Sequence, residues 1–300
     1  MGNIADCGAF EYTTRVPAYK NQHFLPAAYL RHFSVDGERG TRTSDIWRTG
    51  MNGQTRGPVD SFCSGDYFYS KEDAERVERE FGQMEAFYGG LGGKFWRSEN
   101  PRNERDYLGL AIMMFDLHLR SAAYASQPRD NYKDYLVRTS GFRNQLLFGQ
   151  RDKSSTDGEV VDHFRENWSI RILEAGPGRS FLTSDNPSLL FHARSSDTVQ
   201  LVLMPLTPRY YAGAFDHQAF GFVSAAATRD DETKLNQLQV KHCIDGIFSA
   251  EQLSDEQVQG VQKLLGTRQP RPVCELDDAW IANTHRIPAE EDFNFIREVR

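Results

Sequence analysis

One segment of the chain, from Asn103 to Ala125, is apolar on almost every side of the helix that its spacing predicts. Its apolar residues include Tyr107, Leu108, Leu110, Ile112, Met113, Met114, Phe115, Leu117 and Leu119. A helix at the surface keeps one polar face, whereas a helix that is apolar all round is buried. The chain must therefore surround this helix with other elements, and we expect it at the centre of a helical layer.

Two more helices are predicted in the first half. The segment Lys71 to Tyr88 places Val77, Phe81, Met84 and Tyr88 on one face, and Gly89-Gly90 is expected to end it. A further helix is predicted from Tyr132 to Phe148. The segment from Asp36 to Asp60 is expected to be irregular, with one hairpin around Ile46–Thr49.

The second half changes to the alternating period of strands. Trp168 to Glu174 alternates, Gly176-Pro177-Gly178 is a turn signal, and Arg179 to Thr183 is predicted as the returning strand. Further strands are predicted at Ser188–His192, Thr198–Met204, Tyr210–Phe215 and Gly246–Ser249, with helices at Asp231–Lys241 and Asp255–Leu265. Helices followed by consecutive strands predict an α+β fold, with a helical N-terminal half packed on a largely antiparallel C-terminal sheet.

Length and charge limit the classes of function. We expect one α+β domain over residues 1–268 and a Pro- and acid-rich C-terminal extension over residues 269–300. The net charge of −7 and the pI of about 5.7 argue against binding DNA through a broad cationic surface. A small basic pocket for a small-molecule or RNA substrate remains open.

The chain also lacks the usual marks of secretion and of common cofactor sites. Its four cysteines form no C-x-x-C pair, no signal peptide is evident, and the longest apolar run, Leu108–Phe115, is too short for a bilayer. We therefore expect a cytoplasmic protein with reduced thiols and no membrane partner. The P-loop, the dinucleotide-binding glycine motif, the H-E-x-x-H motif and the EF-hand loop are missing from the sequence.

His23 is the first candidate for chemistry. It lies in an extended segment before Pro26, after which Tyr29, Leu30 and Phe33 share one face of a short helix. A histidine among aromatic residues commonly has a structural role. Its near-neutral pKa also suits it to proton transfer or to metal binding.

Two glutamates and one arginine are the next candidates. Glu78 and Glu85 are seven residues apart, so both lie at the edge of the apolar stripe of their helix, as solvated residues or along one side of a pocket. Arg120 follows the apolar helix with Asp116 and His118. It either pairs with Asp116 at i, i+4 or lines a pocket.

The fourth candidate set is the turn Thr183-Ser184-Asp185-Asn186-Pro187. Such residues commonly end a strand by bonding to their own backbone. Asp185 is the most plausible chemical group among them, since no nucleophile-elbow motif surrounds Ser184. Asn236, on a predicted helix, is a weaker candidate.

These motifs together resemble a family of bacterial and fungal proteins, domain of unknown function 4238. The similarity lies in the His23-x-x-Pro26-x-x-Tyr29-Leu30-x-x-Phe33 opening, Tyr69 before the helix with Glu78 and Glu85, Leu117-His118-Leu119-Arg120, Phe181–Pro187, Met204-Pro205-Leu206-Thr207-Pro208 and Leu235-Asn236. The resemblance runs from about Lys20 to Phe248. It implies a shared fold and a shared candidate site but no reaction, and members often carry an amide where His118 stands.

Two hypotheses follow for the function. The first is a hydrolase or nuclease for a phosphate-containing substrate, with His23, Glu85 and Asp185 as catalytic groups and a divalent metal ion as a candidate cofactor. Substrate would be bound by Arg120, Glu78, Ser184, Asn186 and Asn236. The second is a non-catalytic ligand-sensing or protein-interaction module, in which the same residues form a buried polar network.

The first hypothesis makes a geometric prediction. His23 and Asp185 are expected to share one cleft, within direct or water-mediated contact, and Arg120 is expected to line that cleft.

Overall fold

A computed structural model of the chain describes residues 21–69, 71–72, 74–96, 104–125, 162, 164–192, 199–267, 284–286 and 293–299. In chain order the helices and strands are β1 (Asn21–His23), α1 (Ala27–Leu30), β2 (Asp45–Gly50), β3 (Gly53–Pro58), β4 (Ser64–Asp66), α2 (Ala74–Trp96), α3 (Glu104–Ala125), β5 (Trp168–Glu174), β6 (Thr183–Ser184), β7 (Leu189–His192), β8 (Val199–Pro205), β9 (Tyr210–Asp216), β10 (Phe220–Phe222), α4 (Arg229–His242), β11 (Gly246–Ser249), α5 (Asp255–Thr267), β12 (Thr284–Arg286) and β13 (Ile296–Glu298).

The predicted α+β class is confirmed. Among the described residues, the larger sheets have the strand orders β12-β7-β8-β9-β5 and β3-β2-β11-β6, and β1-β4 and β10-β13 form separate pairs. Every pairing in these sheets is antiparallel except that of β12 with β7. Helices α2 and α3 come from the N-terminal half and the strands of the largest sheet from the C-terminal half.

The predicted apolar helix is buried as α3. Leu110, Met114 and Leu117 on this helix have no exposed surface. They share one apolar core with Val202 and Met204 of β8 and with Phe81 and Met84 of α2. α3 thus lies between α2 and the largest sheet, which explains why its sequence is apolar on several sides.

The prediction that Gly89-Gly90 ends the second helix is wrong, because α2 continues to Trp96. A Cβ atom at Gly89 would lie 2.7 Å from Nη2 of Arg31, and a Cβ atom at Gly92 would lie 2.2 Å from Nε2 of His32. Both glycines therefore let neighbouring side chains approach the helix backbone, which is the other common reason for glycine in a helix.

The imidazole of His32 is buried where it packs on Gly92. Burial lowers the pKa of His32 from 6.5 to about 4, helped by the charge of Arg31 and opposed by the backbone of Gly89. The folded state therefore binds fewer protons than the unfolded state between those two values. Stability from this residue is complete above pH 6.5 and is lost as the pH falls toward 4.

This pKa shift predicts a pH-dependent loss of stability on the order of 3 kcal/mol. We expect the urea midpoint of the native protein to fall between pH 7 and pH 4, and His32→Leu to flatten that fall. The exposed His217 offers the matched control, His217→Leu. An unchanged pH dependence in His32→Leu would contradict the assignment.

The predicted return of the chain at Arg179–Thr183 as a hairpin partner of β5 is also wrong. β5 pairs with β9, and β6 pairs with β11. Oδ1 of Asn236 accepts the N–H of Leu182 at 2.8 Å, and Nδ2 of Asn236 donates to the carbonyl of Ser180 at 3.0 Å. The Asn236 amide thus forms hydrogen bonds with backbone groups that would pair with β5 in a hairpin.

Part of the C-terminal extension packs on the sheet. Phe293, Phe295 and Ile296 are buried in a core with Leu189 and Leu201.

The predicted helix at residues 132–148 lies outside the described residues. In the described part of the chain, no helix combines the length and the apolar character that a bilayer-spanning helix needs.

Candidate functional site

A cleft of about 560 Å³ opens beside β1, α1 and α2. Its walls are formed by Asn21, His23, Ala27, Ala28, Arg31, Thr41, Arg42, Glu78 and Glu85. It therefore brings three of the predicted site residues, His23, Glu78 and Glu85, to one place. The volume is that of a pocket for a small organic ligand.

The strand that carries His23 is held by a strained neighbour. β1 pairs with β4, so that His23 lies opposite Ser64. Cys63 and Tyr67, on either side of β4, have φ angles of 56° and 50°, which non-glycine residues rarely adopt. The carbonyl of Cys63 accepts the N–H of Phe24 at 3.0 Å. This arrangement fixes the backbone at the base of the histidine.

The environment of His23 favours its neutral form. Burial lowers its pKa and the charges of Arg120 and Arg42 act in the same direction, while the carbonyl of Asp60 raises it. Nε2 lies 3.3 Å from that carbonyl. A carbonyl only accepts, so Nε2 carries the proton in this contact and Nδ1 is left unprotonated. A histidine in this state can act as a base.

Glu78 and Glu85 face the cleft from consecutive parts of α2. Burial raises the pKa of Glu78, as does the charge of Glu85, while Arg120 and Arg42 lower it. Burial also raises the pKa of Glu85, against the effect of Arg120. Glu85 is bonded to Arg120, whereas Glu78 is half-buried and lines the cleft without an ion pair among the described residues. Glu78 is thus the better placed of the two to exchange a proton with a ligand.

Arg120 lies behind the cleft wall and does not line it, because its side chain is only 1% exposed. Its Nη2 donates to the carbonyl of His23 at 2.6 Å and to Oε1 of Glu85 at 2.7 Å. Its Nε donates to the hydroxyl of Tyr69 at 3.0 Å. The prediction that Arg120 lines the cavity is therefore wrong. Arg120 instead ties the strand of His23 to α2.

Aromatic rings and a second carboxylate complete the surroundings of Arg120. Its guanidinium lies 4.7 Å from the ring centre of Phe81, and Nη1 lies 3.8 Å from Oδ2 of Asp116. Burial acts to lower the pKa of Arg120, but the effects of Tyr69, Glu85 and Asp116 outweigh it and raise that pKa. The guanidinium is therefore a permanent buried cation.

The predicted contact between His23 and Asp185 is wrong. Both oxygens of Asp185 accept backbone N–H groups: Oδ1 from Ile244 at 2.6 Å, and Oδ2 from Asp245 at 2.6 Å and Gly246 at 3.0 Å. Burial raises the pKa of this carboxyl, and these bonds oppose the rise. Asp185 fixes the connection between α4 and β11 and is not among the residues that form the cleft.

The neighbours of Asp185 also bond within the protein. Ser184 donates to Oε1 of Gln239 at 2.7 Å, and Nδ2 of Asn186 donates to the carbonyl of His242 at 2.9 Å. With Asn236, these side chains join the segment before β7 to one side of α4. None of them is among the residues that form the cleft, which matches the structural alternative for this motif.

Tyr29 connects the sequence motifs to one another. Its hydroxyl donates to the carbonyl of Pro205 at 2.8 Å and lies 2.7 Å from Oγ1 of Thr183. His118 makes a comparable link, because its Nδ1 lies 3.0 Å from the carbonyl of Ser188. A side-chain amide at this position could donate the same bond.

Two cleft residues, Arg31 and Arg42, were missed by the sequence reasoning. A weak signal was present for Arg31, because two small residues, Ala27 and Ala28, precede it by about one helical turn. Their short side chains leave space beside its charge. Arg42 carried no signal, because it lies in an irregular segment whose path local sequence does not define.

Within the described residues, no group of three or more His, Cys, Asp or Glu side chains is arranged to hold a metal ion.

The fold and the cleft define an α+β protein with a small polar site between a histidine strand and a glutamate helix. The family model described as "Protein of unknown function (DUF4238)" matches residues 21–252. The chain therefore belongs to this family. Searches of curated proteins and of solved structures found no match.

Proposed function

We propose that the protein is a hydrolase acting on a small phosphate-containing substrate, such as a nucleotide or an RNA end. The observation that carries this proposal is the convergence of His23, Glu78 and Glu85 on one cleft. The pKa of the histidine is lowered and the pKa values of both carboxyls are raised. Oppositely shifted groups in one cleft suit a base and an acid that work together.

The roles follow from the directions of these pKa shifts. Neutral His23 accepts a proton from a water molecule, whose oxygen attacks the phosphorus atom. Glu78 in its protonated form donates a proton to the oxygen of the leaving group as its bond to phosphorus breaks. Glu85, bonded to Arg120, helps to hold the backbone of His23. Positioned acid–base groups of this kind typically contribute 10²–10⁴ in rate.

The size and charge of the molecule favour a small substrate. The net charge of −7 does not favour a long nucleic acid, whereas a cleft of about 560 Å³ accommodates one nucleotide unit. Two arginines line the same cleft and supply positive charge locally.

The test is phosphate or nucleotide release from single-stranded RNA and from nucleoside mono-, di- and triphosphates, with EDTA, Mg²⁺ or Mn²⁺. We expect turnover of at least one substrate, and a fall in kcat of about 100-fold or more for His23→Gln and Glu78→Gln. His217→Gln is the matched control and is expected to retain activity. The proposal fails if the native protein turns over none of these substrates, or if His23→Gln keeps full activity.

The alternative is a non-catalytic ligand-binding module. It is supported by the number of predicted site residues that bond within the protein, namely Asp185, Ser184, Asn186 and Asn236. Binding of a nucleotide with no turnover under any metal condition would favour this second function.

A further inference from the structure

We infer that Arg31 and Arg42 form the subsite that binds a phosphate group of the substrate. This inference rests on the proposed function, because it names the part of the same cleft that would hold the substrate's phosphate. Both arginines line the cleft on the side of α1 and of the segment that precedes β2.

Arg31 packs on α2, and its guanidinium has no hydrogen bond or ion pair within the described residues. Its Nη2 lies against α2 at Gly89, where a Cβ atom would come within 2.7 Å. An arginine that is packed on one side and unpaired on the other presents its donors to the cleft. Arginine is well suited to such a role because its planar group binds phosphate oxygens in pairs.

Arg42 is placed near both proposed acid–base residues, His23 and Glu78, and near Glu85. Its charge acts on the pKa values of His23, Glu78 and Glu85. Its only ion pair among the described residues is with Asp60, at 3.4 Å, and its side chain remains 68% exposed. The pair is solvated and weak, so that most of the donors of Arg42 remain free to bind a ligand.

Negative charge in the cleft opposes the binding of an anion. Glu85 is paired with the buried Arg120 at 2.7 Å, and Asp60 is paired more loosely with the exposed Arg42 at 3.4 Å. Among the described residues Glu78 has no such ion pair, so its ionised form repels a phosphate bound between the arginines, whereas the protonated form that the proposed acid catalysis uses does not. Removal of the Glu78 charge is expected to tighten phosphate binding while it abolishes the proposed acid catalysis.

The experiment measures binding by calorimetry on the full chain, with inorganic pyrophosphate and adenosine monophosphate as probes and adenosine as the uncharged control. We expect both phosphates to bind and adenosine to bind at least tenfold more weakly. Arg31→Gln and Arg42→Gln are each expected to weaken pyrophosphate binding about tenfold. The exposed Arg39 gives the matched control, Arg39→Gln, with unchanged affinity. Glu78→Gln is expected to strengthen binding severalfold.

A pair of glycine variants separates position from charge. Gly89→Ala keeps the Arg31 charge but displaces its guanidinium, so it should weaken pyrophosphate binding. A Cβ atom at Gly90 meets nothing within 4 Å, so Gly90→Ala should leave binding unchanged. Both variants are helix-compatible, and circular dichroism checks that they fold.

The outcomes distinguish the two proposals. Arginine-dependent phosphate binding without turnover supports the subsite and overturns the hydrolase. Turnover with phosphate binding that Arg31→Gln, Arg42→Gln and Gly89→Ala leave unchanged overturns the subsite alone. Absence of phosphate binding in the native protein also overturns the subsite.

Discussion

Arg120→Met is expected to lower the free energy of unfolding by about 3–5 kcal/mol, the usual cost of removing one partner from a buried ion pair. The change leaves the Glu85 carboxylate, the His23 carbonyl and the Tyr69 hydroxyl without their shared donor. Methionine fills much of the space, so the loss reports the charge and its hydrogen bonds. The measurement is equilibrium unfolding in urea at pH 7.

Two further variants make this prediction specific. Arg39→Met removes an exposed arginine and should change stability by less than about 0.5 kcal/mol. The double variant Arg120→Met/Glu85→Gln should recover part of the loss, because it also removes the uncompensated carboxylate. A cost for Arg120→Met below about 1 kcal/mol would show that water satisfies these groups and that the buried network is not a structural unit.

Asp185→Ala is expected to cost at least about 3 kcal/mol. Three backbone N–H groups, those of Ile244, Asp245 and Gly246, lose their acceptor. The segment they belong to joins α4 to β11, so the loss also weakens the sheet that β11 shares with β2. Asp185→Asn should have an intermediate effect, since its amide keeps one acceptor oxygen but turns a donor toward one N–H.

The control for this series is Asp36→Ala, which changes an exposed aspartate and should be nearly neutral. The series also tests the role of Asp185. A catalytic Asp185 would give an alanine variant of native stability that had lost its activity. The hydrogen bonds of this carboxylate predict the opposite, a loss of stability with the cleft chemistry intact in the fraction that remains folded.

Much of the secondary structure could be predicted from the sequence because its causes are local. The apolar residues of α3 and the alternation of β5 identify their elements without knowledge of any partner. The errors have non-local causes. Gly89 lies inside α2, where Arg31 approaches the helix backbone, and Asn236 bonds the backbone of Ser180 and Leu182 while β5 pairs with β9.

The candidate site was predicted in part for the same reason. Glu78 and Glu85 lie on one face of one helix, so helix geometry alone placed them together. The positions of His23 and Asp185 depended on separate elements. Both are polar residues near a proline, and nothing in their local sequence distinguishes a side chain that faces a cleft from one that holds three N–H groups.

By itself, the sequence determined the α+β class, the burial of α3 and the membership of a family through ordered motifs. Only the tertiary structure decided what the motif residues do, since their partners are distant in the chain. Tyr29 reaches Pro205 across 176 positions, and Arg120 reaches the carbonyl of His23 across 97. Hydrophobic periodicity acts within one helix or strand, whereas a buried polar group takes whichever partner the packed core brings within hydrogen-bond distance.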